Sequence, residues 1–285
     1  MDDNELRALA SKLTGTVLRA GAVTLHYFKN EAQDATRKAD GSPVTLADQE
    51  AEVLILDDLK KVAPDIPVIA EEAVSRGEVP EVGSRFFLVD PLDGTREFTG
   101  GSGEFTVNIG LIENGEPVFG IVYAPALGDI YVTLGRNEAA MAKVPLPRDP
   151  GDQELSPLDL TRIEARAVAQ DGLTVVASRS HGTSEGESYL EGLPLPVAGR
   201  RNIGSSLKFC LVARGEADLY PRHGPTMEWD TAAGHAVLRA AGGLVTTVDG
   251  RPFRYGKSET GYRNTGFIAY SSKTLRERLT RATSD

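Results

Sequence analysis

Four acidic residues stand where a short apolar segment ends or a helical pattern begins, namely Glu71, Asp90, Asp93 and Asp230. Clustered carboxylates repel one another, and removing them from water is costly unless a cation compensates their charge. Their oxygen atoms are the ligands that Mg²⁺ prefers, with water or a substrate phosphate completing its octahedron. We therefore predict that these four side chains, together with the backbone carbonyl of Leu92, hold divalent metal ions.

The chemistry that such a site would perform is phosphoryl transfer. Two ions about 3.5–4 Å apart can clamp the attacking and leaving oxygens of a displacement at phosphorus. Asp90 and Asp93 belong to the run Asp-Pro-Leu-Asp-Gly-Thr at 90–95, in which Pro91 restrains the backbone so that both carboxylates can converge. A simple Asp-Gly-Thr turn is the alternative for this run taken alone. The aspartyl-phosphatase motif has one residue between its acids rather than two, and the calcium EF-hand pattern is absent.

The residues beside these acids predict how phosphate and water are held. Gly94 and Thr95 offer backbone N–H groups to a phosphate, and the Thr95 hydroxyl can hold the attacking water. We expect Asp48 to polarise this water together with Thr95, and we include Glu71 among the catalytic residues. Two plainer explanations stay open, which are Asp48 as a surface residue of a first helical turn and Asp230 as a helix N-cap.

The composition is that of an ordinary globular enzyme. The chain has 285 residues, 40% of them apolar and 25% charged, and its formal net charge is −10. This charge argues against binding to nucleic acid polymers, because phosphate contacts need a basic face. The single cysteine, Cys210, lies in an apolar run and is expected to be a buried hydrophobe.

No apolar run has the length of a transmembrane segment, and the acidic start of the chain differs from a signal peptide. We therefore expect a cytoplasmic protein, monomeric or homodimeric. Association with the inner face of the membrane is left open.

Apolar periodicity predicts two helices followed by a mostly antiparallel sheet in the first part of the chain, and alternating strands and helices in the second. The first set comprises helices at 5–28 and 45–59 and strands at 68–70, 86–89, 106–112, 118–123 and 129–134. The second set comprises strands at 173–177, 244–248 and 266–270 and helices at 205–214 and 231–241. A proline-punctuated stretch at 144–170 separates them, so we predict an α+β half over 1–155 and an α/β half over 156–285.

The order of the motifs carries a family resemblance. Asp48, then Glu71-Glu72, then the run 90–95, then Trp229-Asp230-Thr-Ala-Ala233 resemble the signature of the lithium-sensitive, magnesium-dependent phosphatase superfamily, which includes the inositol monophosphatases. The resemblance spans roughly residues 6–270 and implies a layered αβαβα sandwich, with the active site between its halves. It also implies two or three Mg²⁺ ions and inhibition by Li⁺.

Further features resemble one branch of this superfamily, the 3′(2′),5′-bisphosphate nucleotidases. Thr95 is followed by Arg96-Glu97-Phe98, where inositol monophosphatases usually continue with Asn-Phe. The segments 204–213 and 219–226 are similar to bacterial members of this branch, although Thr265 stands where those members often have Pro. By this resemblance the substrate is adenosine 3′,5′-bisphosphate, which is hydrolysed to AMP and phosphate.

A bisphosphate carries a second phosphate that needs hydrogen-bond donors away from the metal ions. The predicted donors are Ser205, Ser206, Lys208 and Arg222. The cleaved phosphate is expected near Glu71, Leu92, Asp93, Gly94, Thr95 and Asp230. Lys208 and Arg222 as solvated surface charges are the alternative. Two other functions also stay open, an inositol or sugar phosphatase of the same superfamily and an inactive metal or nucleotide sensor on the same scaffold.

Overall fold

The computed structural model describes residues 1–30, 36–37, 43–44, 46–145, 158–167, 171–180 and 182–281. Their helices, in chain order, are α1 (Asp3–Asn30), α2 (Leu46–Val62), α3 (Glu71–Ser75), α4 (Thr95–Thr99), α5 (Ser184–Glu191), α6 (Leu207–Ala213), α7 (Glu228–Ala240) and α8 (Lys273–Arg281). The long first helix forms because Leu6, Leu9, Leu13 and Val17 recur at helical spacing and are all buried on one face. No helix of the described residues is long and apolar enough to cross a membrane.

A seven-stranded sheet dominates the first part of the chain, after a two-stranded ladder of β1 (Thr36–Arg37) and β2 (Pro43–Val44). Its strands, in spatial order, are β3 (Val68–Ala70), β4 (Arg85–Asp93), β5 (Thr106–Glu113), β6 (Glu116–Ala124), β7 (Asp129–Gly135), β8 (Glu138–Lys143) and β9 (Thr161–Ile163). Strands β3 and β4 run parallel and the others pair antiparallel. The turn between β5 and β6 is Asn114-Gly115, and both residues have positive φ, as the tight Asn-Gly hairpin turn requires.

The second sheet has five strands and mixed directions. The strands of the second part of the chain are β10 (Leu173–Ser178), β11 (Val197–Ile203), β12 (Leu219–Arg222), β13 (Thr226–Met227), β14 (Leu244–Thr247), β15 (Arg263–Asn264) and β16 (Phe267–Tyr270). The order within this sheet is β11-β10-β12-β16-β14, with β10 parallel to both of its neighbours and β16 antiparallel to both of its own. Strands β13 and β15 form a separate small ladder.

Alternating side chains on the strands bind the layers together. On β4, Phe87 and Val89 pack with α1 and α2, whereas Phe86 and Leu88 face the other way, toward α6, α7 and the second sheet. The far face of the second sheet is covered by α5 and α8. The layers therefore run α1 and α2, seven-stranded sheet, α6 and α7, five-stranded sheet, α5 and α8. This order confirms the predicted αβαβα sandwich.

A pair of glycines lets α7 approach the large sheet unusually closely. Gly110 and Gly120 face each other across β5 and β6. A Cβ atom at Gly120 would lie 2.2 Å from the carbonyl oxygen of Ala233, and one at Gly110 would lie 2.7 Å from the Cβ of Ala232. Both positions therefore need glycine for the close backbone approach. The contact lies one helical turn from Asp230, so it sets how far that acid reaches toward the sheet.

Most of the predicted elements of the first part are confirmed, including both long helices and the hairpin. One boundary is wrong: β4 does not end before Asp90 but continues to Asp93. Thr45 and the predicted division at residue 155 lie outside the described residues, and the division stays a prediction. Strand β9, at 161–163, still belongs to the first sheet.

Candidate active site

A pocket of about 440 Å³ opens where the two halves of the sandwich meet. Most of the predicted site residues line it: Glu71, Asp93, Gly94, Thr95, Ser205, Ser206, Lys208, Arg222 and Asp230. Asp48, Asp90 and Leu92 are fully or almost fully buried and are not among the lining residues. Residues separated by more than a hundred positions in the chain thus meet at one cavity.

A bulge in β4 brings Asp90 and Asp93 to the same region. Asp90 pairs with Asn108 and Asp93 pairs with Thr106, so Pro91 and Leu92 together stand opposite one residue of β5. In a regular strand, residues three apart would face opposite sides of the sheet. The additional residue removes this mismatch. An Asp90 carboxylate oxygen accepts a hydrogen bond from the Leu92 N–H at 3.0 Å, which closes the bulge.

Asp93 is tied to the second half of the molecule through Ser206. Its Oδ2 accepts a hydrogen bond from the Ser206 N–H at 2.5 Å. The Ser206 hydroxyl lies 2.9 Å from the Thr106 hydroxyl and donates to Asn108 Oδ1 at 2.7 Å. The preceding residue, Ser205, has a positive φ of 49°, a conformation that a non-glycine residue adopts only when its surroundings demand it. These bonds align the two halves at the floor of the pocket.

Asp230 combines a structural and a site role. It is the third residue of α7, and its Oδ2 accepts a hydrogen bond from the Met227 N–H at 2.8 Å. Such a bond satisfies one of the free N–H groups at the start of a helix. Asp230 therefore helps to cap the helix, as the alternative predicted, although it is the third residue of α7 and Met227 occupies the N-cap position. Its carboxylate also lines the pocket.

Repulsion among these acids dominates the electrostatics of the site. Burial raises the pKa of Asp90 well above its usual value, and the neighbouring charges of Glu71 and Asp93 raise it further. Burial, followed by the charges of Asp93 and Glu71, likewise raises the pKa of Asp230. Burial raises the pKa of Asp93 to about 6, even though Lys208 and the Ser206 N–H oppose the shift.

The donor set fits divalent cations. The raised pKa values show that burial and the neighbouring carboxylates disfavour the charged form of each acid. A bound cation would relieve this repulsion. Within the described residues, the acids do not already form a cage of three or more ligands, so side-chain rotation would accompany metal binding. The side chains suited to hold the ions are Glu71, Asp90, Asp93 and Asp230, with the carbonyl of Leu92.

Asp48 lies in the first turn of α2 and is fully buried. The alternative of a surface acid is therefore wrong. Its neighbour Ala47 packs in one apolar cluster with Leu92 and Phe98. This packing sets the start of α2 against the bulge and against α4, the helix that begins with Thr95. The role of Asp48 in catalysis stays a prediction.

The two predicted cations of the substrate site differ in their surroundings. Lys208 is buried, its Nζ donates to the carbonyl of Ser205 at 2.6 Å and to that of Ile203 at 3.3 Å, and burial lowers its pKa to about 8. Arg222 is half-buried and donates to the carbonyl of Pro225 at 3.2 Å. The interpretation of Lys208 as a solvated surface charge is wrong. Its assignment to a substrate phosphate stays a prediction.

The pocket also has walls that the motifs did not reveal. Arg96 donates to the carbonyl of Ser180 at 3.3 Å, and Glu97, which is buried, accepts a hydrogen bond from the Ser180 hydroxyl at 2.6 Å. Arg263 reaches the cavity from β15. Arg96 and Glu97 were visible only as part of a resemblance, whereas no local pattern pointed to Arg263 or Ser180. Their placement depends on the packing of the two halves.

Comparison with known proteins decides the family. The model of the inositol monophosphatase family matches residues 5–285. The chain belongs to this family. It is 44% identical over 250 residues to the 3′(2′),5′-bisphosphate nucleotidase CysQ of Shigella flexneri, covering 86% of this chain and 92% of the relative. The identity to CysQ of Escherichia coli K12 is 43%, with the same shares covered.

Solved structures agree with this assignment. CysQ from Bacteroides thetaiotaomicron, described as a bacterial member of the inositol monophosphatase family, has a TM-score of 0.75 and 36% identity, over 93% of this chain and 97% of that chain. Thermotoga maritima IMPase has a TM-score of 0.68 at 24% identity, over 95% and 94% of the two chains, which shows the shared fold. The predicted family resemblance is confirmed, and the chain is a phosphatase of a metal-dependent family.

Proposed function

We propose that this protein hydrolyses adenosine 3′,5′-bisphosphate to AMP and phosphate, with Mg²⁺ as its metal. The observation that carries the proposal is the pocket itself, which acids from both parts of the chain line beside a basic wall formed by Arg96, Lys208, Arg222 and Arg263. The chain is 44% identical to the nucleotidase CysQ of Shigella flexneri. The acids suit metal ions, and the basic wall suits a second phosphate. A monophosphate of an uncharged sugar would have no use for that wall.

Two or three Mg²⁺ ions are proposed to bind to Glu71, Asp90, Asp93, Asp230 and the carbonyl of Leu92. When bound, such ions offset the phosphate charge and lower the pKa of water so that it can attack phosphorus. The protein contributes the positions of the ligands. The bulge at Pro91 and Leu92 brings Asp90 and Asp93 to the same face of the sheet, and the Met227 N–H orients Asp230.

The protein's own groups are proposed to place the attacking water and the phosphate. The Thr95 hydroxyl holds the water, and the carboxylates of Asp48 and Glu71 draw its proton as its oxygen bonds to phosphorus. The ester bond from phosphorus to the 3′ oxygen then breaks, and that oxygen takes a proton from a solvent water and leaves as the ribose hydroxyl. The backbone N–H groups of Gly94 and Thr95 hold the phosphate oxygens. Gly94 has a φ of 95°, in the left-handed region that favours glycine, so this turn depends on its identity.

The test is phosphate release from a panel of substrates, with Mg²⁺ and with EDTA. The panel contains adenosine 3′,5′-bisphosphate, its 2′,5′ isomer, inositol 1-phosphate and fructose 1,6-bisphosphate. We expect the highest kcat/KM on the adenosine bisphosphates and no turnover in EDTA. A preference for inositol 1-phosphate would replace the proposal by the inositol phosphatase alternative. Binding of the nucleotide without release of phosphate would favour a sensor.

The proposed location is the cytoplasm. A monomer or a homodimer is proposed, and size-exclusion chromatography with light scattering distinguishes the two.

A further inference from the structure

Four basic side chains line the pocket, and one of them differs from the others. Arg96, Lys208 and Arg222 each donate a hydrogen bond to a backbone carbonyl of the protein, at Ser180, Ser205 and Pro225 respectively. Arg263 is exposed and lines the same cavity. Across the described part of the chain, no hydrogen bond or ion pair engages its guanidinium group. Its five N–H donors are therefore available to a ligand.

The backbone of Arg263 is held firmly although its side chain is not. Arg263 pairs with Met227 in the ladder of β13 and β15. The next residue, Asn264, is buried, and its Nδ2 donates to the carbonyl of Met227 at 2.9 Å and to the hydroxyl of Thr231 at 3.1 Å. The Met227 N–H in turn donates to Asp230. These contacts fix the backbone of Arg263 relative to Asp230, a proposed metal ligand.

An ion pair between the buried Glu228 and the partly exposed Lys257 anchors the segment that carries Arg263. Glu228, the first residue of α7, is fully buried and accepts hydrogen bonds from the Gly256 N–H at 2.8 Å, from the Lys257 N–H at 3.0 Å and from the Lys257 Nζ at 2.7 Å. Lys257 Nζ also donates to Asn264 Oδ1 at 3.0 Å. Because Glu228 is buried, loss of any of these three donors would leave its charge partly uncompensated, which would destabilise the fold. The segment is therefore built to hold one position.

We infer that the guanidinium group of Arg263 binds the phosphate of the substrate that is not cleaved. This inference rests on the proposed function. The scissile phosphate lies by the acids, so the second phosphate must lie farther along the pocket. Because the protein carries a net negative charge, a strong positively charged donor has to offset the repulsion of this second phosphate. A guanidinium group can bind phosphate through two parallel hydrogen bonds. Lys208, which we expected in this role, already donates to two backbone carbonyls, whereas Arg263 is uncommitted.

The main test compares Arg263→Gln with the wild type on three substrates: adenosine 3′,5′-bisphosphate, 3′-AMP and inositol 1-phosphate. Only the first carries a phosphate besides the cleaved one. We expect kcat/KM to fall about ten- to a hundredfold on the bisphosphate, as for loss of a charge-assisted hydrogen bond, and to change little on the other two. The matched control is Arg251→Gln, which removes the same charge from an exposed arginine that pairs with Asp249 and does not line the pocket.

The outcomes separate this inference from the proposed function. If the wild type hydrolyses the bisphosphate and Arg263→Gln has the same kcat/KM, the inference about Arg263 is overturned and the proposed function stands. Equal losses of kcat/KM on all three substrates would mean that Arg263 supports the catalytic site. Losses on adenosine 3′,5′-bisphosphate and 3′-AMP, but not on inositol 1-phosphate, would mean that it binds the adenosine part of the substrate. Either result overturns the phosphate contact. A wild type that hydrolyses inositol 1-phosphate but not the bisphosphate would overturn the proposed function and this inference together.

A double-mutant cycle tests the anchoring. Lys257→Gln should lower the ratio of bisphosphate to monophosphate kcat/KM, because it loosens the segment that positions Arg263. In the Arg263→Gln background the same change should leave that ratio unaltered, since the contact is already lost. Lys257→Arg should restore part of the ratio. If the effects of Lys257→Gln and Arg263→Gln on the ratio multiply independently, Lys257 does not act through Arg263 and the anchoring is refuted.

Discussion

Asp93→Asn should stabilise the metal-free protein while abolishing its activity. The pKa of Asp93 is about 6 against an ordinary value of 3.8, so between these two values the folded protein binds more protons than the unfolded chain. Stability of the metal-free wild type must then fall as the pH rises through this window. At about 1.4 kcal/mol per pKa unit, Asp93 costs roughly 3 kcal/mol near neutral pH. Asparagine keeps the shape and still accepts the hydrogen bond from Ser206.

The assay is urea unfolding in EDTA, near pH 4 and near pH 7, for the wild type, Asp93→Asn and the exposed control Asp57→Asn. We expect Asp93→Asn to exceed the wild type by about 3 kcal/mol near neutral pH and to match it near pH 4, with no such change for the control. Added Mg²⁺ should stabilise the wild type and should stabilise Asp93→Asn much less.

Two results would refute the reasoning. One is a metal-free Asp93→Asn that is less stable than the wild type near neutral pH, because Asp93 would then not be held against repulsion. The other is retention of more than about a tenth of the wild-type kcat, equivalent to under ~1.4 kcal/mol of barrier, because Asp93 would then not be needed for metal binding.

Three further predictions follow from the site and the fold. Thr95→Ala and Asp48→Asn should each lower kcat by about 10²–10⁴-fold with little change in KM, as measured by steady-state kinetics, because both groups are proposed to act on the attacking water. Millimolar Li⁺ should inhibit turnover at limiting Mg²⁺, and unchanged activity would contradict the assignment of the ligand set. Gly120→Ala should destabilise the protein by about 3 kcal/mol in urea unfolding, because its Cβ would collide with the backbone of Ala233. Gly83→Ala, at a position with nothing within 4 Å of the added atom, is the control and should have little effect.

The sequence predicted the elements whose signals are local. The apolar face of α1 and the Asn114-Gly115 hairpin depend on residues within one element, and both are confirmed. The order of the acidic motifs was enough to identify the family, because the signature keeps each acid next to its strand or helix. These features need no knowledge of which elements touch.

What the sequence did not predict depends on distant contacts. Strand β11 is mostly exposed at the edge of its sheet, so it has no alternation of buried and exposed residues to reveal it. The bulge between Asp90 and Asp93 appears only when β4 is paired with β5. The sequence predicted Lys208 as a phosphate donor with a solvated surface charge as the alternative, and its burial depends on tertiary packing that no local pattern shows. Arg263 lines the pocket on a segment that is held by the ion pair of Lys257 with Glu228, and Glu228 stands more than thirty residues before Arg263 in the chain.

The glycine pair beneath α7 also bears on how this enzyme can change over time. At Gly110 and Gly120 the helix rests on main-chain atoms, so mutations in the surrounding apolar layer cannot easily shift Asp230. The position of this proposed metal ligand is thereby protected against the effects of most nearby mutations. The Arg263 side chain is instead exposed, and no hydrogen bond within the described residues engages its guanidinium group, so it can be exchanged with little effect on the fold. Substrate preference can therefore diverge among descendants of this protein, or in a directed-evolution experiment, without disturbing the hydrolytic chemistry.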